Sequence, residues 1–210
     1  MVWRRKSETD EALHESIMMA TARAIVKHGV ADLTVRDIGS EFDRSRSLIN
    51  YHYDSKEALL ETFVEYTVDR YSGTMSFDPE QEPDVQLDRF VRQALFGLEG
   101  ADDSEDHWTL IAAQYALRPE AMANERIRTA LTTGFDEIHR TLSEIVAAGI
   151  EQGVVDASDS DTVTNLLLGI IDSARGGKVI LGNDDAPERM YLALTRLVYP
   201  ALGIEPSARR

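Results

Sequence analysis

Apolar residues recur every three or four positions along almost the whole chain, and nowhere do they alternate one by one between turns. This spacing constrains the fold more than any other feature. A period near 3.6 gathers apolar side chains on one face of a helix, whereas a half-buried strand needs a period of two. Leu13, Ile17, Ala20, Ala24 and Ile25 mark a first helix over about 8–28, and Leu59, Leu60, Phe63, Val64 and Val68 mark one that ends near 71. Further helices are expected near 85–99, 104–117, 121–152, 159–181 and 187–202, broken at "EGADD", "LRPE", "QGVVDAS" and "GNDDAPE". With no hairpin signal between period-two runs, the expected fold is all-α.

Composition narrows the function classes. A chain of 210 residues holds one larger domain or two small ones, and an apolar fraction of 43% suffices for a core. No run of 18 uncharged apolar residues occurs, so no membrane partner is expected. The opening "MVWRRKSETDEALHES" follows its basic residues with no apolar stretch, unlike a secretory signal. There is no cysteine, which removes disulfides and thiol chemistry. A cytoplasmic protein is the expectation. The net charge of −15 is unevenly spread: residues 1–56 hold nine Lys/Arg and nine Asp/Glu, residues 57–210 hold 13 and 28. One end therefore tolerates a polyanion and the rest repels one. Only Lys6, Lys27, Lys56 and Lys178 are lysines. Abundant acid with scarce lysine suits a salt-adapted host, and equally an ordinary acidic protein.

The stretch "TVRDIGSEFDRSRSLINYHYDSKEALL", residues 34–60, gathers four basic residues with two tyrosines and a histidine. Lys27 and His28 suit the last turn of the first helix and Gly29 its left-handed cap. Thr34 with Asp37 three residues on is the acidic form of a capping box, opening a helix over about 34–41 that buries Val35, Ile38 and Phe42. A third helix over about 45–53 turns Leu48 and Ile49 inward, and Asp54 with Glu57 brackets the next start. Two short helices across a tight break have the lengths of a helix-turn-helix, whose second helix enters the major groove. Its outer face presents Ser45, Arg46, Ser47, Asn50 and Tyr51. Arg takes guanine bidentately, Asn takes adenine, and hydroxyls hold phosphates. Arg44 adds a cation in the turn. Lys56, beside the free N–H groups that open the fourth helix, adds another suited to phosphate.

Residues 17–60 resemble the DNA-binding head of the TetR family of transcriptional regulators. The resemblance rests on "IMMATARAIVKHG", "TVRDI" and "NYHYDSKEAL", with His52, Lys56 and Leu59 in register. The departures are Asp43 at the usual turn glycine, a position asking for a left-handed backbone, with Arg44, Asn50 and Tyr53 at nearby positions. The resemblance implies a helix-turn-helix head over 1–71, joined by a connecting helix to a ligand-binding and dimerisation body over 72–210. It implies a homodimeric repressor that leaves a palindromic operator when a small-molecule effector enters the body. The DNA-contacting set would be Thr34, Arg44, Ser45, Arg46, Ser47, Asn50, Tyr51, His52 and Lys56.

In the body, Trp108, Tyr115, Met122, Phe135 and His139 lie on helices expected to face each other. They form a candidate apolar pocket, or alternatively plain core. This region is more faintly similar to the BetI-like branch of the family. Val163, Leu166, Leu167, Ile170, Ile171 and Ala174 make the helix at 159–181 apolar over more of its circumference than a surface helix needs, pointing to a dimer interface rather than burial within one subunit. Asp172 and Arg175, three apart, are placed to pair, to line the pocket or to cross the dimer axis. No Gly-rich phosphate loop, cofactor motif or metal-ligand spacing stands out, so neither an enzyme, a cofactor nor a metal is expected. The rival reading is a helical protein-interaction adaptor that has lost DNA binding.

Overall fold

A computed structural model describes residues 8–72, 76–97 and 104–204, and every regular element among them is helical. The long elements are α1 (Glu8–His28), α4 (Lys56–Ser72), α5 (Pro83–Phe96), α6 (Ser104–Leu117), α7 (Glu125–Glu151) and α8 (Ser160–Val179). Between the first two lie α2 (Val35–Ser40) and α3 (Arg46–His52), and the chain closes on α9 (Ala186–Ala193) and α10 (Tyr199–Ala201). None of these helices is long and apolar enough to cross a membrane.

Local chemistry sets the boundaries. Gly29 ends α1 with φ +72°, and its N–H reaches the Ile25 carbonyl at 2.9 Å. Asp159 opens α8 by accepting the Thr162 N–H at 3.0 Å. At the start of α4 the cap is Ser55 and not Asp54: the Ser55 hydroxyl takes the Ala58 N–H at 3.1 Å. The helix expected from 121 starts later. Pro119–Met122 form a single tight 3₁₀ turn, and the Asn124 side chain then takes the N–H groups of Arg126 and Ile127 to open α7. The last expected helix is also interrupted. Pro200 has no N–H for the Arg196 carbonyl, and the chain widens into a π turn over Leu194–Val198, with the Tyr199 N–H bonded to the Leu194 carbonyl.

The chain divides into two compact units. The first takes the described residues up to Asp69 together with Trp108–Thr132. Its core packs Ile17, Met18 and Ile25 of α1 with Ile38, Ile49, Leu59 and Phe63, and Leu110, Ala113, Leu117 and Ile127 join them. That burial explains why Trp108–Thr132, placed in the body by the sequence division at residue 72, belongs with the head. An ion pair of 3.3 Å between Arg126 and Glu61 adds to the same packing. The second unit takes Arg70–His107 and Thr133 onward. Leu87, Val91 and Leu95 of α5 pack there with Leu142 and Val146 of α7, Leu167 and Ile171 of α8, and Leu194 and Tyr199 near the end of the chain. Helices α4, α6 and α7 contribute residues to both units.

The acidic stretch around Pro79, which reads as a plain linker, is tied down within the second unit. Gln86, 1% exposed, donates to the carbonyls of Asp78 and Gln81 at 2.8 and 2.9 Å and accepts the Asp78 N–H at 2.9 Å. One buried amide thus satisfies three backbone groups that an unstructured loop would leave to water. A second buried polar contact joins α5 to α9, where the Tyr191 hydroxyl donates to Asp88 at 2.8 Å.

Candidate nucleic-acid interface

The candidate surface is built on the short pair α2 and α3. Thr34 is extended (φ −119°, ψ 158°), and its hydroxyl accepts the Asp37 N–H at 3.2 Å. The Asp37 carboxylate returns a bond to the Thr34 N–H at 2.9 Å, completing the box. These bonds from Thr34 hold the Asp37 carboxyl below its usual range. At the other end of α2, two cations of α1 are already engaged. Arg23 donates to the Glu41 carbonyl at 3.1 Å, and Lys27 meets the Glu41 carboxylate at 2.6 Å. Both fix where α2 stops, so neither is a first choice for phosphate.

In the turn, Phe42 is buried while Asp43 and Arg44 are exposed. Asp43 does not take the left-handed conformation its position suggests, because no described non-glycine residue has positive φ. Ser45 caps α3, accepting the Ser47 N–H at 3.4 Å, and the two hydroxyls lie 2.7 Å apart. Ile49 is fully buried and Leu48 half-buried, so α3 is nailed to the core along one side. The opposite side carries Arg46, Ser47, Asn50 and Tyr51, all exposed, Tyr51 by 83%. An aromatic that exposed contributes almost nothing to folding. Its ring stands edge-on to His52 at 5.1 Å.

The far end of α3 is tied to α1. The Tyr53 N–H closes the helix on the Ile49 carbonyl, and its hydroxyl meets His14 Nδ1 at 3.1 Å. Burial pushes the Tyr53 hydroxyl up to about 12, so it keeps its proton. Burial also holds His14 below its ordinary value, against the opposing pull of Asp69. Lys56 differs from expectation. Its ammonium donates to the Val30 carbonyl at 3.3 Å, bracing the turn after α1 instead of standing free for phosphate. Arg36, exposed on α2, is a cation that sequence reasoning passed over. Arg36 falls on the solvent side of a helix whose buried residue is Ile38, a signal the helical period already contained.

The family model for bacterial regulatory proteins, tetR family, matches residues 17–63, which include α2 and α3. A crystal structure of a TetR transcription regulator from Haloarcula marismortui ATCC 43049 shares 30% identity, with 87% of this chain and 94% of that one covered at a TM-score of 0.73. The chain belongs to the TetR family. A helix-turn-helix-type transcriptional regulator of Bacillus subtilis (strain 168), YerO, is 27% identical over 199 residues, and the chain spans 66% of that relative's length. A protein from Saccharomonospora viridis, solved in complex with choline, has the same fold at 22% identity and a TM-score of 0.67, over 89% of this chain and 97% of that one. The Haloarcula marismortui and Bacillus subtilis relatives are both transcription regulators.

Beyond α2 and α3, the expectations divide. Trp108, Tyr115 and Met122 fall in the first unit, Phe135 and His139 in the second. Met122 is 87% exposed on its 3₁₀ turn and Phe135 is 55% exposed, so neither is enclosed within its own unit. Tyr115 is buried with the Arg118 guanidinium 3.7 Å from its ring centre, and Phe135 lies 6.1 Å from His139. Four of the six residues assigned to the dimer interface need correction. Val163, Leu167, Ile171 and Ala174 are buried in their own subunit's core, because α8 spends its i, i+4, i+8 stripe on α5 and its neighbours. Leu166 remains exposed and Ile170 half-buried. The apolar surface left over runs through Leu166, Ile180 and Leu181, with Leu192 and Leu197 exposed on the closing segment. Leu192 and Leu197 border a shallow depression of about 270 Å³, shared with Arg189, Ala193 and Arg196. The Arg175 Nε donates to the Ala94 carbonyl at 2.8 Å and braces α8 against α5.

Proposed function

We propose that this TetR-family chain acts as a homodimeric repressor whose α3 reads a palindromic duplex and which leaves the DNA when a small molecule binds its body. The carrying observation is the two-sidedness of α3: Ile49 fully buried on one face, and Arg46, Ser47, Asn50 and Tyr51 in solvent on the other. In a dimer two such faces would meet half-sites about 34–36 Å apart, one turn of B-DNA. Arg46 and Asn50 carry the base contacts. Ser45, Ser47, Tyr51 and Arg44 hold backbone, with Arg36 beside them. Thr34, His52 and Lys56 act through position, since each is built into a cap, a ring contact or a brace.

The proposed dimer covers apolar side chains that the subunit leaves exposed, Leu166, Ile180, Leu181, Leu192 and Leu197. A protein of the same fold holds choline, which fits a small effector here. Trp108 and Tyr115, both of the first unit, stay candidate contacts. An effector acts only through its preference for one body conformation, and the coupling runs along α4, which contributes to both units. Retention of the purified protein by a duplex carrying its own upstream region tests the reading. Arg46→Ala with Tyr51→Ala should abolish retention and leave the chain folded, at a cost of about 1 kcal/mol or less. Undiminished retention by that double variant would refute the assignment. Failure of the parent protein to bind any duplex would favour the adaptor.

A further inference from the structure

Gly39 lies inside α2, where glycine is a poor helix former and alanine would serve better. Its place is explained by what covers it. A Cβ built at residue 39 would stand 2.8 Å from Arg46 Cγ, 2.9 Å from Cδ and 3.2 Å from Cβ. The aliphatic stem of Arg46 therefore lies flat on bare backbone of α2, closer than any side-chain-bearing residue permits. We propose that Gly39 is a seat that positions Arg46, and that this seat, not α3 alone, sets which base Arg46 reads. The proposal rests on α3 being the DNA-reading helix.

The physics is that of a lever held at two points. Arg46 leaves the first turn of α3, and its stem rests on α2 before the guanidinium projects. A seated stem excludes rotamers that would swing the fork away from a base edge, so fewer conformations are lost on binding. Bidentate contact tolerates little misplacement, because both donors must align together. A methyl at residue 39 would lift the stem by several tenths of an ångström or more and redirect the fork. The helix itself gains from alanine, so fold and function should respond in opposite directions.

The test uses the full-length chain with Gly39→Ala, Arg46→Ala and the pair. Affinity is read on the upstream duplex and base preference by selection from a randomised duplex pool. Gly39→Ala should melt no lower than the parent, bind about tenfold more weakly as a misplaced bidentate contact would, and shift preference at the same base pair that Arg46→Ala affects. In the Arg46→Ala background it should add nothing. Parental affinity and preference in Gly39→Ala, or an equal loss in both backgrounds, would overturn the seat while sparing the role of α3. Unimpaired binding by Arg46→Ala would overturn both. If Gly39→Ala fails to fold, Arg46→Met decides: its uncharged stem should keep the seat and melt above Arg46→Ala, and equal melting would sink the proposal.

Discussion

At the scale of single residues, burial decides which side chains titrate into trouble. His107 is 7% exposed, and burial, reinforced by Arg175 and Arg70, lowers it to about 3. The unfolded chain takes up this proton near pH 6.5 while the folded one resists until about 3. Its contribution is thus complete above 6.5 and lost as pH falls through that window. At roughly 1.4 kcal/mol per pH unit the loss over the whole window is on the order of 5 kcal/mol. His107→Gln should flatten the decline in melting temperature between pH 6.5 and 4, measured by calorimetry. An unchanged slope would remove His107 as the cause; the carboxyls of Asp37 and Asp159, held below their usual range by hydrogen bonds from Thr34 and Thr162, lose their contribution mainly at lower pH than this window.

At the scale of elements, the caps repay close reading. The glycine ending α1 has nothing within 4 Å of a built Cβ, so Gly29→Ala should cost about 1 kcal/mol from backbone strain alone, visible in urea unfolding. A cost near zero would mean the cap relaxes. These caps were legible because they need particular residues at fixed offsets, and so were the buried stripes of α1 and α4. Less legible was anything that depends on a partner at long range. The period marked α8 as apolar on several sides, but which stripe goes inward depends on where α5 packs. Lys56 looked like a phosphate ligand because nothing local announces that Val30's carbonyl lies within reach. Nothing local marks Gly39 as special, because what covers it comes from the next helix. Pro200 lies inside the helix expected over 187–202, and the break there was missed although a lost N–H can end a helix or widen it.

At the scale of the whole molecule, charge and apolar surface divide the work. A neutral first 56 residues and a remainder of net −15 leave one region able to approach DNA, with Arg36, Arg44 and Arg46 exposed there. Few phosphate-neutralising cations predict a shallow salt dependence, since each contact adds only about one unit to the slope. The uncovered apolar surface predicts self-association. Leu192→Arg with Leu197→Arg, both exposed, should leave each chain folded and convert dimer to monomer in sedimentation equilibrium, with DNA affinity falling as the second half-site is lost. A variant that stays dimeric would move the interface elsewhere. Whether α3 meets DNA at all is answered most directly by hydrogen exchange with and without a bound duplex. Slowed exchange concentrated over Ser45–Tyr53 is the expected result; protection confined to the body, with α3 unchanged, would contradict it.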